Sequence, residues 1–191
     1  MYLNFGSQLS EKASNALNNQ IDNHFVKLLE YLNDPQHDDE NHGLIQARSG
    51  LNLSAAFPFH PYSSVVKTAA INRVTKISAA MFSPVYGLSV EQSVDYHFVG
   101  ISMLLEARAQ IEKVGGEVPE SLLKTLESAI VTGAYLLYSD GSAPTIGDSY
   151  YNGRWDYFVK RDAVLGISGE ESQLFDERER VHREIDATVL G

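Results

Sequence analysis

An all-α protein is predicted by three features of the sequence. Apolar residues recur at steps of three and four over long stretches. Those stretches are separated by short breakers containing Pro and Gly. No segment shows the strict alternation that a half-buried strand requires. Helix, breaker, helix, several times over, describes stacked antiparallel helical hairpins. At 191 residues and 43% hydrophobic, the chain can bury one sizeable core.

The elements follow in order. Residues 10–33 carry Ala13, Leu17, Ile21, Phe25, Leu28 and Leu32 on one face. Ser10 is suited to cap this helix, and Glu11 falls in the first turn, where the helix dipole favours a carboxylate. The polar run NDPQHDDE, residues 33–40, reads as a solvated connection. Helical spacing resumes over 43–57 through Leu44, Ala47, Leu51 and Ala55, and the two prolines of FPFHPY end it. Residues 63–82 place Val66, Ala70, Val74, Ile77 and Met81 on one side before Pro84 and Gly87 interrupt. A fourth helix spans about 92–114 and stops at Gly115-Gly116. A fifth starts at Pro119 and presents Leu122, Leu126, Ala129, Ile130, Gly133 and Leu137. Beyond the loop DGSAPTIGDSYYNG come a sixth segment, 155–165, and a charged stretch, 170–187, with few apolar anchors. The expected division is a helical domain over 1–165 and a charged C-terminal helix or tail over 166–191. Periodicity leaves open whether the hairpins close as a bundle or form part of an α/α toroid.

Charge and composition narrow the function classes. The formal net charge is -10. Residues 1–40 hold 2 basic and 7 acidic side chains, residues 118–191 hold 7 and 13, and residues 41–117 hold 6 and 5. An acidic chain without a clustered basic face argues against nucleic acid as a partner, while its near-neutral middle is permissive for an anionic ligand. There are no cysteines, so no disulfide and no thiolate metal site. His24, His60 and His182 lack partners at metal-ligand spacing, and neither a metal nor another cofactor is expected. No run is apolar enough to cross a membrane. The N-terminus lacks a signal peptide, which reads as cytoplasmic for the chain as written and periplasmic for a truncated form.

Polar chemistry is concentrated in three places: Asn41-His42-Gly43, the run FSPVYGLSVEQSVDYH over 82–97, and the loop DGSAPTIGDS over 140–149. Asn41, His42 and Gly43; Phe82, Gly87, Glu91, Ser93, Tyr96 and His97; and Asp140, Gly141, Pro144, Ile146, Gly147, Asp148 and Ser149 occur in an order that resembles the heparinase II/III-like polysaccharide lyases, alginate lyases among them. The resemblance covers about residues 40–165. It implies an incomplete α/α toroid and β-elimination on a uronic-acid-containing, anionic polysaccharide.

That chemistry accounts for the residue types. Removing the C5 proton of a uronate is difficult beside a carboxylate that is already negative, so hydrogen-bond donors must neutralise that group as enolate-like charge develops. In the related lyases the tyrosine is a central catalytic residue, and the Asn-His pair binds or polarises the acidic sugar. By this resemblance Asn41 donates its amide to the carboxylate. Tyr96 and His42 divide the acid and base work. An ordinary tyrosine titrates near 10, so Tyr96 serves readily as acid and as base only beside positive charge. His42 is the easier base. Glu91, His97 and Trp155 are candidates for substrate binding. Without the resemblance, the residues alone favour simpler roles: Asn41 as an N-cap, Tyr96 as a packed aromatic, His97 as an orienting or core histidine, and Glu91 as a first-turn carboxylate or a partner for His42. Gly100, one turn after Tyr96, suggests room beside the phenol. The 140–149 loop reads as structure, with Gly147-Asp148-Ser149 satisfying backbone groups locally.

The related lyases carry more toroid helices before the Asn-His-Gly motif and a β-sandwich after the toroid that adds a further histidine. Tyr86 stands where a small acidic turn residue is common among them. The expectation is therefore the middle of such an enzyme, truncated, split or reduced. It would work with a β-sandwich partner, associate with itself through exposed apolar edges, or bind an anionic glycan without cleaving it.

Overall fold

The computed structural model describes residues 9–37, 39–137, 143–147 and 149. Among them are five α-helices, α1 (Glu11–Asn33), α2 (Asn41–Ala56), α3 (Ser63–Met81), α4 (Val94–Lys113) and α5 (Glu120–Tyr135), with a 3-10 turn at Pro35–His37. The only extended pairing among the described residues is an isolated antiparallel bridge between Phe82 and Ser89. The protein is all-α, and its successive hairpins are consistent with an arc of an α/α toroid.

Helix α3 is the hub, packed against the other four helices. Its apolar row, Val66, Ala70, Val74, Ile77 and Met81, is buried, as are Phe25 from α1, Leu44 and Leu51 from α2, Ile101, Leu104 and Ile111 from α4, and Leu122 and Leu126 from α5. Each such Val, Leu, Ile, Phe or Met side chain removed from water contributes about 1.5–3 kcal/mol before entropy is counted.

The register between helices fixes which ends meet. Gly50 of α2 lies against Val66 and Ala70 of α3, Ser54 and Ser63 exchange side-chain-to-carbonyl hydrogen bonds, and Arg73 reaches Gln46. Numbers rise on one helix as they fall on the other, so α2 and α3 are antiparallel. Gly100 of α4 meets Met81 and Phe82, and Gly116 meets Ile71, so α3 and α4 are antiparallel too. Helices α2 and α4 therefore run parallel, with their N-termini at one end of the protein.

Local chemistry sets the boundaries. Ser10 caps α1 by accepting the Ala13 N–H at 3.3 Å. The last turn of α1 has no basic residue. Arg73 of α3 supplies the cation instead, donating to the carbonyls of Leu32 and Asp34, where the dipole favours positive charge. At the end of α4, Gly115 takes a φ of 64°. The Gly116 N–H bonds to the Ile111 carbonyl at 2.9 Å, closing the helix as a Schellman turn. Pro119 is the N-cap of α5 rather than its first helical residue.

Candidate active site

The first motif opens α2. Residue Asn41 is the first helical residue, half-buried, and the N-cap is Glu40, which makes no side-chain cap hydrogen bond. The N-cap role considered for Asn41 is thus excluded: the helix starts two residues earlier than the apolar spacing implies, and the Asn41 carboxamide has no hydrogen-bond partner among the described residues. His42 is exposed, with its Nδ1 3.4 Å from Glu40 Oε2. A carboxylate at Nδ1 favours the tautomer that leaves Nε2 as an acceptor. Glu40, one residue before α2, is thus a carboxylate partner of His42. Gly43 is buried.

The second motif forms a compact turn between α3 and α4. The Ser83 N–H bonds to the Leu88 carbonyl at 2.8 Å, and Val90 N–H to the Met81 carbonyl at 3.0 Å. Gly87 has φ 64°, and a Cβ there would lie 2.4 Å from the Ser128 carbonyl oxygen of α5. Only glycine allows both the left-handed backbone and that approach. The hydroxyl of Thr132 on α5 donates to the Tyr86 carbonyl. Glu91 lies exposed in this turn ahead of the helix, its N–H donating to Ser89 Oγ at 3.3 Å. The first-turn carboxylate of α4 is Asp95 instead.

His97 is fully buried. Its Nδ1 accepts the Ser89 N–H at 3.2 Å, and its Nε2 donates to the Ala129 carbonyl at 2.9 Å, while Phe82 and Phe98 pack edge-on against the ring. Burial pushes its pKa down to about 4, against the opposing pull of the Ala129 carbonyl. With both nitrogens occupied inside the protein, His97 has nothing to offer a sugar. It is an orienting core residue tying the turn to α4 and α5, which corrects its assignment to substrate binding. The space at Gly100 is filled by Phe82 and Met81, so it does not serve the phenol.

Tyr96, one residue earlier, points differently because neighbours on a helix diverge by about 100°. It is half-buried, and its hydroxyl has no hydrogen-bond partner among the described residues. The first turn that carries it is closed by hydroxyls. Ser93 Oγ accepts the Tyr96 N–H at 3.4 Å, and Ser149 Oγ accepts those of Val94 and Asp95 at 3.1 and 3.2 Å. The third motif is therefore docked on the second, a contact absent from the sequence reading.

The parallel course of α2 and α4 brings the first two motifs to the same end of the protein. Arg48 of α2 and Glu106 of α4 form a half-buried ion pair, and burial lowers the arginine's pKa. Asn41 and Tyr96 both lie on the N-terminal side of that pair, in the first turns of α2 and α4.

The model of the heparinase II/III N-terminus family matches residues 9–164. The chain belongs to that family. The heparinase II/III match runs through all three motif-bearing segments. Over 131 residues the chain is also 26% identical to a heparin-sulfate lyase of Pedobacter heparinus, an alignment taking in 67% of this chain and 20% of the relative. The chain thus spans about a fifth of the length of that curated relative. No solved structure matches it.

Other features lie apart from this heparinase II/III constellation. A cleft of about 240 Å³ between the 82–88 turn and α5 is lined by Ser83, Pro84, Lys124, Thr125 and Ser128 among others, and by none of Asn41, His42, Glu91, Tyr96 or His97. No group of three or more metal-binding side chains converges among the described residues, and no helix among them is long and apolar enough to cross a membrane. Trp155, the 155–165 segment and the 166–191 stretch fall outside the described residues.

Proposed function

We propose that this chain carries the helical side of a β-elimination site for a uronic-acid-containing polysaccharide. One observation carries the reading: a carboxamide, Asn41, and a phenol, Tyr96, both without a hydrogen-bond partner among the described residues, stand at the shared end of two parallel helices, in a chain of the heparinase II/III N-terminus family. The similarity to a heparin-sulfate lyase supports the same class of reaction.

In this mechanism Asn41 donates its amide N–H to the uronate carboxylate, in the first turn of a helix whose dipole favours an anion. His42, oriented by Glu40, takes the C5 proton through Nε2. The electron pair left at C5 forms the C4–C5 double bond, and the C4–O bond breaks. Tyr96 gives its phenolic proton to the departing glycosidic oxygen. The products are a new reducing-side chain end with a free hydroxyl and an unsaturated uronate. Glu91, exposed on the turn beside these groups, and Trp155 are substrate-binding residues in this reading. A β-sandwich partner or a second copy of the chain supplies the cleft's other wall.

The test is ultraviolet absorbance of the unsaturated product, with the purified chain and a panel of alginate, heparan sulfate and hyaluronan, run beside Tyr96→Phe. Product that the variant fails to make supports the mechanism. Saturable glycan binding by folded protein without product would replace it with a binding role.

A further inference from the structure

Tyr96 is the third residue of α4, in the turn where a helix is least able to hold itself. The first amides of any helix have no intrahelical acceptor, and helix ends fray. Here the closure comes from far along the chain. Ser149 Oγ accepts the Val94 and Asp95 N–H groups, donates to the Ile146 carbonyl at 2.7 Å and lies 3.1 Å from Ser93 Oγ. A hydroxyl has one donor and two acceptor sites, and all of them are used. Two further features fit a loop built to press on this turn. Gly147, at φ 64°, approaches so closely that a Cβ would lie 2.8 Å from the Gln92 carbonyl oxygen. Gln92, just before the helix, holds a φ of 53°, a left-handed conformation that side-chain-bearing residues seldom adopt.

We propose that Ser149 is a positioning residue for Tyr96: Ser149, with Gly147 close beside it, clamps the first turn of α4 so that the phenol is held in one place relative to a bound sugar. The inference deepens the β-elimination reading and rests on it for its catalytic consequence. A proton donor must sit close to its productive geometry, and a misplacement of about 1 Å costs up to about a hundredfold in rate. A turn held only by Ser93 would leave Tyr96 at a fraying end. Ser149 converts it into a fixed one without touching substrate.

The test uses the full chain labelled with meta-fluorotyrosine, the Tyr96 resonance being assigned by its loss in Tyr96→Phe. In Ser149→Ala, amide exchange at Val94 and Asp95 should rise roughly five- to thirtyfold, the factor that loss of a helix cap implies. The Tyr96 fluorine resonance should shift or broaden. With a uronate substrate, kcat should fall about ten- to a hundredfold at unchanged KM, and Ser149→Thr, which keeps the hydroxyl, should restore all three signals. Gly147→Ala, which lifts the loop while leaving Ser149 intact, should reproduce the Ser149→Ala signals and decides the matter if Ser149→Ala does not fold. A Tyr96 resonance unmoved in Gly147→Ala, or exchange unchanged in folded Ser149→Ala, overturns the proposal. Exchange and fluorine signals are read without substrate, so a native chain that makes no product counts against the lyase reading and leaves the clamp to be judged on its own.

Discussion

Two helix N-termini lie at the same end of this protein and are finished in opposite ways. At α4, the hydroxyls of Ser93 and Ser149 occupy the first three amides. At α2, Glu40 makes no side-chain cap bond, no acidic residue enters the first turn, and the Asn41 carboxamide is unengaged among the described residues. The closed end cannot receive an anion because its donors are spent. The α2 end, whose Gly43 N–H bonds to the Glu40 carbonyl at 3.1 Å, keeps the Asn41 carboxamide and the dipole that a carboxylate would use. The difference suggests a division of labour, in which α4 holds a proton donor rigidly and α2 receives the charged group of the ligand.

The largest expected effect tests the rigid side. Tyr96→Phe should lower product formation by about 10²–10⁴-fold, the usual range for a lost acid or base, while denaturant unfolding shifts by less than about 0.5 kcal/mol. A variant that keeps activity would remove Tyr96 from the chemistry. Next comes the receiving side: Asn41→Ala should cost about 10²–10³-fold in kcat, the range for losing a donor to developing charge. An equal loss of stability would instead return Asn41 to a structural role.

His97 offers a test of the frame between the two ends. Its folded pKa, about 4, lies below the unfolded value near 6.5, so the unfolded chain binds the proton that the folded chain refuses. Stability should be level above about pH 6.5 and fall by roughly 3 kcal/mol as pH drops toward 4. Chemical denaturation across that range should lose this part of the slope in His97→Gln. An identical slope in the variant would sink the assignment. Smaller effects separate the two caps. Ser93→Ala should destabilise by about 1 kcal/mol. Glu40→Ser, which installs a cap on the open end, should raise stability by a few tenths of a kcal/mol. Calorimetric melting reads both, and a loss of stability in Glu40→Ser would overturn the description of that end as uncapped.

Much of the fold was legible because helix boundaries are local events. The Ser10 cap, the prolines of 57–62 and the Gly115-Gly116 stop each act through neighbours in sequence, and the structure bears out all three. The start of α2 is not legible in the apolar spacing, because its first residues, Asn41 and His42, carry no apolar signal. The cap on α4 was half legible: Ser93 stands in N-cap position, but Ser149 acts across 55 residues, and nothing local marks a serine that caps a distant helix. For His97 the residues alone favour an orienting or core role, and its burial agrees. A histidine beside a candidate tyrosine suggests chemistry, but whether its ring faces a ligand or Ser89 and Ala129 depends on how the turn and α5 pack.

By itself the sequence determined an all-α chain, the order and approximate ends of its helices, and three polar motifs typical of one family, since period, caps and breakers operate within a few residues. Only the tertiary structure decided which polar groups are spent and which remain available. Ser149 and His97 are consumed inside the protein, and among the described residues the Asn41 carboxamide and the Tyr96 hydroxyl are not. The physical reason is that hydrogen-bond capacity is allotted between segments far apart in the chain, and that allotment is settled when helices α2 to α5 come together.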